Sequence, residues 1–406
     1  MRILYVVHQF LPPRHVAGTE IYTMRLARAI QARGHEAILF FTESHADREQ
    51  YGLSRGDFEG LPFLEAVHNY RYPTFRHTWL DERMEAIFEE VLGLVRPDLV
   101  HFQHLHLHSL GYIDIAHARR LPMVYTLHEY LLMCPRGGQL LRPGLVPCPG
   151  PEETECARCA DASEEEIRER RRGIRERLER VDLFLSPSAF LRDRFIAEGL
   201  ISPERILHSD NGFFTEPFAG LERVPSPRLR VGYVGTLADY KGVHLLVDAA
   251  RVLQRPDVAF RIHGDPEIFP DYSQRLLAMD RPANLTFEGP FRNDEAAGVL
   301  AGLDVLVVPS LWFENSPLTI HEAYLAGMPV VAAGHGGMAE LVAEGVSGLH
   351  FPPGDARGLA AALRRLLEEP GLLERLRRGI PPVKEIARDA ADMEERYRRL
   401  LARPGQ

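Results

Sequence analysis

The hydrophobic pattern of this chain alternates between short continuous apolar runs and longer stretches with an apolar residue every three or four positions. Residues 2–7 form a run of strand length. A Pro/Gly loop follows over 11–18, then an amphipathic stretch over about 19–33 that Gly34 ends, then an apolar run over 36–41. Further runs at 95–102, 122–127 and 181–186 extend the series. Such alternation predicts a parallel sheet with helices on both faces. Over 212–228 the pattern gives way to Asn-Gly, isolated prolines and Ser-Pro-Arg, which is linker composition. A second alternation begins at 229–234 and runs through 259–263, 285–287 and 304–308. The expected architecture is α/β, with two Rossmann-like units and a last amphipathic helix over about 383–402 that packs back on the body. Open parallel sheets bind ligands beyond the C-terminal ends of their strands, so two facing sheets would define one cleft.

Length and charge narrow the class. A chain of 406 residues suits two domains better than one core. The net charge of -9 argues against a nucleic-acid binder, which needs a basic surface. Of the 48 basic residues only Lys241 and Lys384 are lysines, so a lysine inside a motif marks a place where a compact ammonium is wanted. The N-terminal apolar run is too short for a signal segment, and Pro12-Pro13 follows it without a small-residue cleavage site. No apolar stretch reaches the roughly 18 residues needed to cross a bilayer. A cytoplasmic protein is expected, with peripheral contact at the inner membrane face left open along with the oligomeric state.

The stretch 309–331 is the most informative. An apolar strand runs into a loop carrying Glu314, and a helix opened by Ser316 and Pro317 carries Glu322 eight positions later. Two acceptors thus flank a helix N-terminus, whose N–H groups and dipole favour a phosphate. A sugar linked through a diphosphate would satisfy all of these groups. The second unit opens with a strand, Gly235-Thr236 and then Lys241, which brings a close backbone approach and a positive charge to one sheet end. No Walker loop and no Gly-x-Gly-x-x-Gly occurs.

These residues resemble the retaining nucleotide-sugar glycosyltransferases of family 4, which have the GT-B fold. The likeness rests on Gly18-Thr19-Glu20, on His128 in Tyr-Thr-Leu-His-Glu-Tyr, and on Gly235 with Lys241. It rests also on the Glu314 and Glu322 pair, Gly327-Met-Pro-Val-Val, Gly336-Gly-Met-Ala-Glu340 and the segment from Gly345 to Asp355. The resemblance implies two Rossmann-like domains facing across a cleft: an acceptor-side domain over 1–215, a nucleotide-sugar domain over 216–382, and a helix over 383–406 crossing back to the first. It implies that Glu314 binds donor-sugar hydroxyls, that Glu322 binds the ribose, and that Lys241 holds the diphosphate with backbone N–H groups near Asn315, Ser316, Pro317 and Leu318. Gly18 and Thr19 would line the opposite side, and His128 would contact the donor sugar. The chain departs from the family at Thr236, where an Arg is common, and at Ala17-Gly18, where Gly-Gly is usual.

The implied activity is retaining transfer of a sugar from a UDP- or GDP-sugar to a saccharide, lipid-linked or small-molecule acceptor, as in polysaccharide biosynthesis. No Asp-x-Asp occurs, so catalysis is expected to need no metal cofactor. A sugar-nucleotide epimerase on the same fold and a non-catalytic nucleotide-sugar-binding subunit are the alternatives. All four cysteines, Cys134, Cys148, Cys156 and Cys159, fall in a Pro/Gly-rich insertion over 131–161. Their confinement suggests joint use in a structural zinc site, with reduced thiols, disulfides or an iron–sulfur centre as the other readings. His101, His104, His106 and His108 crowd a strand end. If the strand continued, the last three would share a face, and they are expected to line the acceptor side rather than bind metal.

Overall fold

The computed structural model describes residues 1–10 and 17–402, so most of the loop expected over 11–18, with Pro12 and Pro13, lies outside the described residues. The chain forms two compact units. One comprises Met1–Leu140, Cys148–Phe213 and Lys384–Gln406, the other Leu141–Pro147 and Phe214–Val383.

The first unit is built on eight strands: β1 (Arg2–Val6), β2 (Glu36–Glu43), β3 (Leu53–Phe58), β4 (Leu61–Val67), β5 (Leu99–Phe102), β6 (Met123–Thr126), β9 (Leu183–Ser186) and β10 (Ile206–His208). A short hairpin, β7 (Leu141–Arg142) with β8 (Val146–Pro147), stands apart from this sheet. The sheet order is β10-β9-β6-β5-β1-β2-β4-β3, parallel except for the β3–β4 hairpin. Strand β1 lies between β2 and β5, with Ile3 opposite both Ala37 and Leu99. The apolar runs are buried on both faces, as a helix-covered parallel sheet demands.

The second unit has β11 (Leu229–Val234), β12 (Val258–His263), β13 (Leu285–Gly289), β14 (Val305–Val308), β15 (Val330–Ala333) and β16 (Gly348–Phe351). Their order is β13-β12-β11-β14-β15-β16, all parallel, with Val231 opposite both Phe260 and Val305. Both sheets therefore reverse strand order next to their first strand, and a crevice opens at such a switch point.

Local chemistry sets the helix limits. Asp81 caps the helix Glu82–Val95 by accepting from the N–H groups of Arg83 and Met84, and Ser163 with Glu166 forms a capping box on the charge-laced helix Glu164–Leu178. That helix buries Ile167, Ile174 and Leu178 as its spacing predicts. The expected run over 95–102 is shorter in the structure. Val95 is the last buried residue of the preceding helix, Arg96 turns left-handed at φ 48, and β5 starts at Leu99. No helix among the described residues is long and apolar enough to cross a membrane.

The last helix, Ile386–Leu401, belongs to the first unit. Its Asp389 is fully buried and accepts from Lys384 Nζ (2.6 Å), the Tyr22 hydroxyl (3.0 Å) and the Gly212 N–H (3.1 Å). Further along, the Tyr397 hydroxyl meets His101 Nδ1 (2.6 Å) and the Tyr5 hydroxyl (3.1 Å). Removing one partner of a buried charged network strands the others without water. Asp389→Ala is expected to cost about 3 kcal/mol in denaturant unfolding, whereas the neighbouring exposed Arg388→Ala should change stability by less than about 0.5 kcal/mol.

Candidate active site

The predicted chemistry of the second unit converges where β11 and β14 end. Gly235 follows β11 with φ +152, and its N–H donates to the His263 carbonyl (3.1 Å). The chain then makes a short turn, Asp239–Lys241, before the helix Val243–Leu253. Beyond β14, the Leu311 N–H donates to the Tyr240 carbonyl (2.8 Å) and ties the two loops together. Gly242, at φ +69, permits this approach, because a Cβ there would collide with the Pro309 carbonyl oxygen.

Lys241 and Glu314 meet directly. Lys241 Nζ donates to Glu314 Oε1 at 2.6 Å, and the Ser310 hydroxyl donates to the same oxygen at 2.7 Å. Glu314 is buried, at 6% exposure, while the Lys241 side chain keeps 25%. Burial works against the ammonium, but the adjacent Glu314 outweighs it and the Lys241 pKa is raised. The ammonium also lies 5.4 Å from the Trp312 ring centre and 5.8 Å from that of Tyr240, within cation–π range. A strongly charged, oriented ammonium thus stands beside a carboxylate held by two donors.

The glutamate loop is braced from the far side by the start of the helix Gly336–Leu341. The Gly337 N–H donates to the Glu314 carbonyl (2.7 Å), and His335 Nε2 donates to the Ser310 carbonyl (2.9 Å). A Cβ at Gly337 would fall on the Asn315 carbonyl oxygen, so only glycine fits. The helix expected to open at Ser316 and Pro317 begins at Leu318 and runs to Leu325, with Pro317 at the cap position and no side-chain cap. Ser316 stands one residue before the cap position, and its hydroxyl is 3.0 Å from His321 Nε2. Pro317 carries no N–H, so amides for an anion must come from its neighbours. Glu322 sits half-buried on the second turn of this helix.

In the first unit, Gly18 and Thr19 open the helix Gly18–Ala32, and the Thr19 carbonyl accepts from the Thr23 hydroxyl (2.7 Å). His128 follows β6, with Nε2 2.7 Å from Gln103 Oε1 and its ring 5.5 Å from that of Tyr22. Desolvation, helped by nearby His104, lowers its pKa to about 3, so the imidazole is neutral at physiological pH. A neutral imidazole exchanges hydrogen bonds with hydroxyls and carries no charge to a phosphate.

The histidine run does not form a shared face. Strand β5 stops at Phe102, and the side chains beyond it disperse. His108 Nε2 takes the Val7 carbonyl (2.9 Å), while His104 faces Glu129 Oε1 at 3.2 Å and the His8 ring at 4.3 Å between centres. His8 in turn reaches Glu20 Oε1 at 3.3 Å. Sequence reasoning missed Ser310, His335 and Gln103, and quoted Glu20 and Glu129 only as parts of motifs, with no role assigned. Trp312, one of two tryptophans in the chain, was the signal next to Glu314 that could have been used.

No disulfide joins any of the four cysteines in the structure. Cys134 and Cys156 are buried, Cys148 and Cys159 half-buried, and among the described residues no three or more His, Cys, Asp and Glu side chains are posed to hold a metal ion.

The sucrose-phosphate synthase of Thermosynechococcus elongatus superposes on 99% of this chain and 100% of its own, with a TM-score of 0.72 at 19% identity. Anabaena HepE, solved with UDP and glucose, covers 98% of this chain and 100% of its own with a TM-score of 0.69 at 20% identity. Residues 16–216 match the model of Glycosyltransferase Family 4, and residues 228–369 that of Glycosyl transferases group 1. The chain is a glycosyltransferase of the GT-B fold. Its sequence relatives include the glycogen synthase of Mycobacterium tuberculosis, 27% identical over 399 residues, which are 92% of this chain and 88% of the relative.

One pH effect follows from the first unit of the glycosyltransferase. Desolvation pushes the Glu129 pKa from its ordinary 4.5 up to about 8. Between these values the folded chain holds a proton that the unfolded chain has lost, so stability falls as pH rises through that window. Glu129→Gln cannot ionise. Its melting temperature relative to the native chain should therefore be higher at pH 8 than at pH 5, and an equal difference at both would contradict this assignment.

Proposed function

We propose that this glycosyltransferase moves a hexose-type sugar from a UDP- or GDP-sugar to a saccharide, lipid-linked or small-molecule acceptor, with retention and without a catalytic metal. The observation that carries the reading is the Lys241–Glu314 contact at 2.6 Å, beside a helix start whose cap residue, Pro317, makes no side-chain cap bond. The charge that develops in glycosyl transfer lies on the departing diphosphate. An ammonium and helix N–H groups are the groups that stabilise it, and they act most strongly where water is excluded. Glu314, fixed by Ser310, is suited to accept from sugar hydroxyls, and Glu322 to accept from a ribose. The bound UDP and glucose of HepE support a nucleotide-sugar donor here.

His128 is neutral and serves as a hydrogen-bonding group for a hydroxyl rather than as a proton donor. Neither glutamate is placed as a nucleophile in this scheme. The acceptor hydroxyl attacks on the face from which the diphosphate leaves, and the leaving phosphate takes its proton.

Lys241→Ala and Glu314→Gln should each lower kcat/KM by roughly 100-fold, with melting temperature changed far less. Near-native rates in both variants, measured with a UDP- and a GDP-sugar panel, would remove the support for this site. With Lys241 and helix dipoles handling the leaving group, and no Asp-x-Asp in the chain, turnover should persist when EDTA is added during the reaction. Immediate loss of rate that magnesium or manganese restores would show a metal-dependent route instead.

A further inference from the structure

Two aromatic rings border the Lys241 ammonium, and the chemistry proposed above gives them no role. Lys241 is the single basic residue in 235–241 and 309–315, the loops that leave β11 and β14. It carries a compact charge at the end of a flexible four-carbon stem. The hydrogen bond from Nζ to Glu314 is one that an incoming donor contests. A diphosphate competes with the carboxylate for the ammonium, while sugar hydroxyls compete with the ammonium for the carboxylate. Something other than this bond must keep Nζ in place while the partners change.

The rings meet that requirement. Nζ lies over the Trp312 ring, 5.4 Å from its centre, and over the Tyr240 ring, 5.8 Å from its centre. A charge over a ring face is attracted by the ring quadrupole, so the three N–H groups can turn to oxygen atoms without giving up the contact. Trp312 and Tyr240 meet edge to face at 6.3 Å and 84°, and Tyr240 and Phe269 do the same at 6.1 Å and 88°. Such pairs hold one another's orientation. The Trp312 indole N–H is buried without a hydrogen-bond partner, so ring contacts place this side chain. The backbone sets both rings beside the ion pair. Tyr240 directly precedes Lys241 and its carbonyl accepts from the Leu311 N–H (2.8 Å), while the Trp312 carbonyl accepts from the Glu314 N–H (2.9 Å).

We propose, on the donor-site reading given above, that Trp312 and Tyr240 are positioning residues for the leaving group. Their ring faces hold the Lys241 ammonium where β11 and β14 end while Glu314 passes from the ammonium to the hydroxyls of the donor sugar. Both rings act through Lys241.

Isothermal titration of the full chain with UDP and with GDP tests this, and whichever diphosphate the native chain binds serves for the variants. Trp312→Leu and Tyr240→Leu should each weaken binding about tenfold, whereas Trp312→Phe, which keeps a ring face, should lose at most about threefold. The deciding measurement is a double-mutant cycle. In a Lys241→Ala background, Trp312→Leu should cost less than about twofold, because the group it positions is gone. A loss of about tenfold in that background as well would assign Trp312 to the shape of the site and overturn the proposal, as would native-like binding by Trp312→Leu with Lys241 present. If Lys241→Ala binds the diphosphate as tightly as the native chain, or the native chain binds neither UDP nor GDP, the donor-site reading itself falls and this proposal with it. Should Trp312→Leu fail to fold by far-UV circular dichroism, Tyr240→Leu runs the same cycle.

Discussion

The parallel pairing of β11 with β14 is the constraint on which the donor-side chemistry depends. These strands are far apart in sequence, yet Val231 lies opposite Val305, so the loops that follow them leave the sheet side by side. Lys241 and Glu314, separated by 73 positions, can then share a hydrogen bond. The same register forces two backbones into near contact, and Gly242 makes that approach sterically allowed, while Gly337 does the same where the loop after β15 meets the Glu314 loop. Loop proximity and the need for glycine at these positions are thus consequences of strand order.

Burial then decides which charges survive. Around Lys241 the opposite charge of Glu314 wins over desolvation, and the ammonium persists. Around His128 and Glu129 desolvation wins, leaving a neutral imidazole and a carboxyl that holds its proton to about pH 8. Burial therefore has different outcomes at the strand ends of the two units. One presents a compact ion pair, the other a neutral imidazole and a protonated carboxyl at His128 and Glu129 beside a Glu20 carboxylate whose pKa, despite burial, is lowered by His8. The difference follows from whether a partner of opposite charge sits within hydrogen-bond distance.

Much of this was legible from the residues alone. Continuous apolar runs located most strands of both parallel sheets, because strands buried on both faces have little polar alternation to confuse them. The Glu314 loop and Lys241 stood out by residue type and spacing. Other parts were not readable for definite reasons. The hairpin of β3 and β4 escaped notice because β3 is largely exposed at the sheet edge and has no apolar run. The start of β5 was misplaced because a helix ending in Val95 feeds its last apolar residue into the same run. Ser316 looked like a cap and instead bonds His321, a choice that tertiary packing makes. Gln103 and Glu129 acquire meaning only through partners about 25 positions away, which no local pattern encodes.

The first unit is discontinuous in sequence, and this has a consequence for how the chain is made. Tyr5, Tyr22 and His101 emerge early in synthesis, but the hydroxyl and carboxylate that satisfy them belong to Tyr397 and Asp389. Until the final helix is in place, the Tyr5 and Tyr22 hydroxyls and His101 Nδ1 lack the partners it supplies. The second unit, by contrast, draws all of its sheet from a contiguous segment and can complete its core while the first still waits. A chain lacking the segment from residue 384 onward would thus carry a finished second unit and an unfinished first one, so the helix Ile386–Leu401 is the piece that completes the first unit.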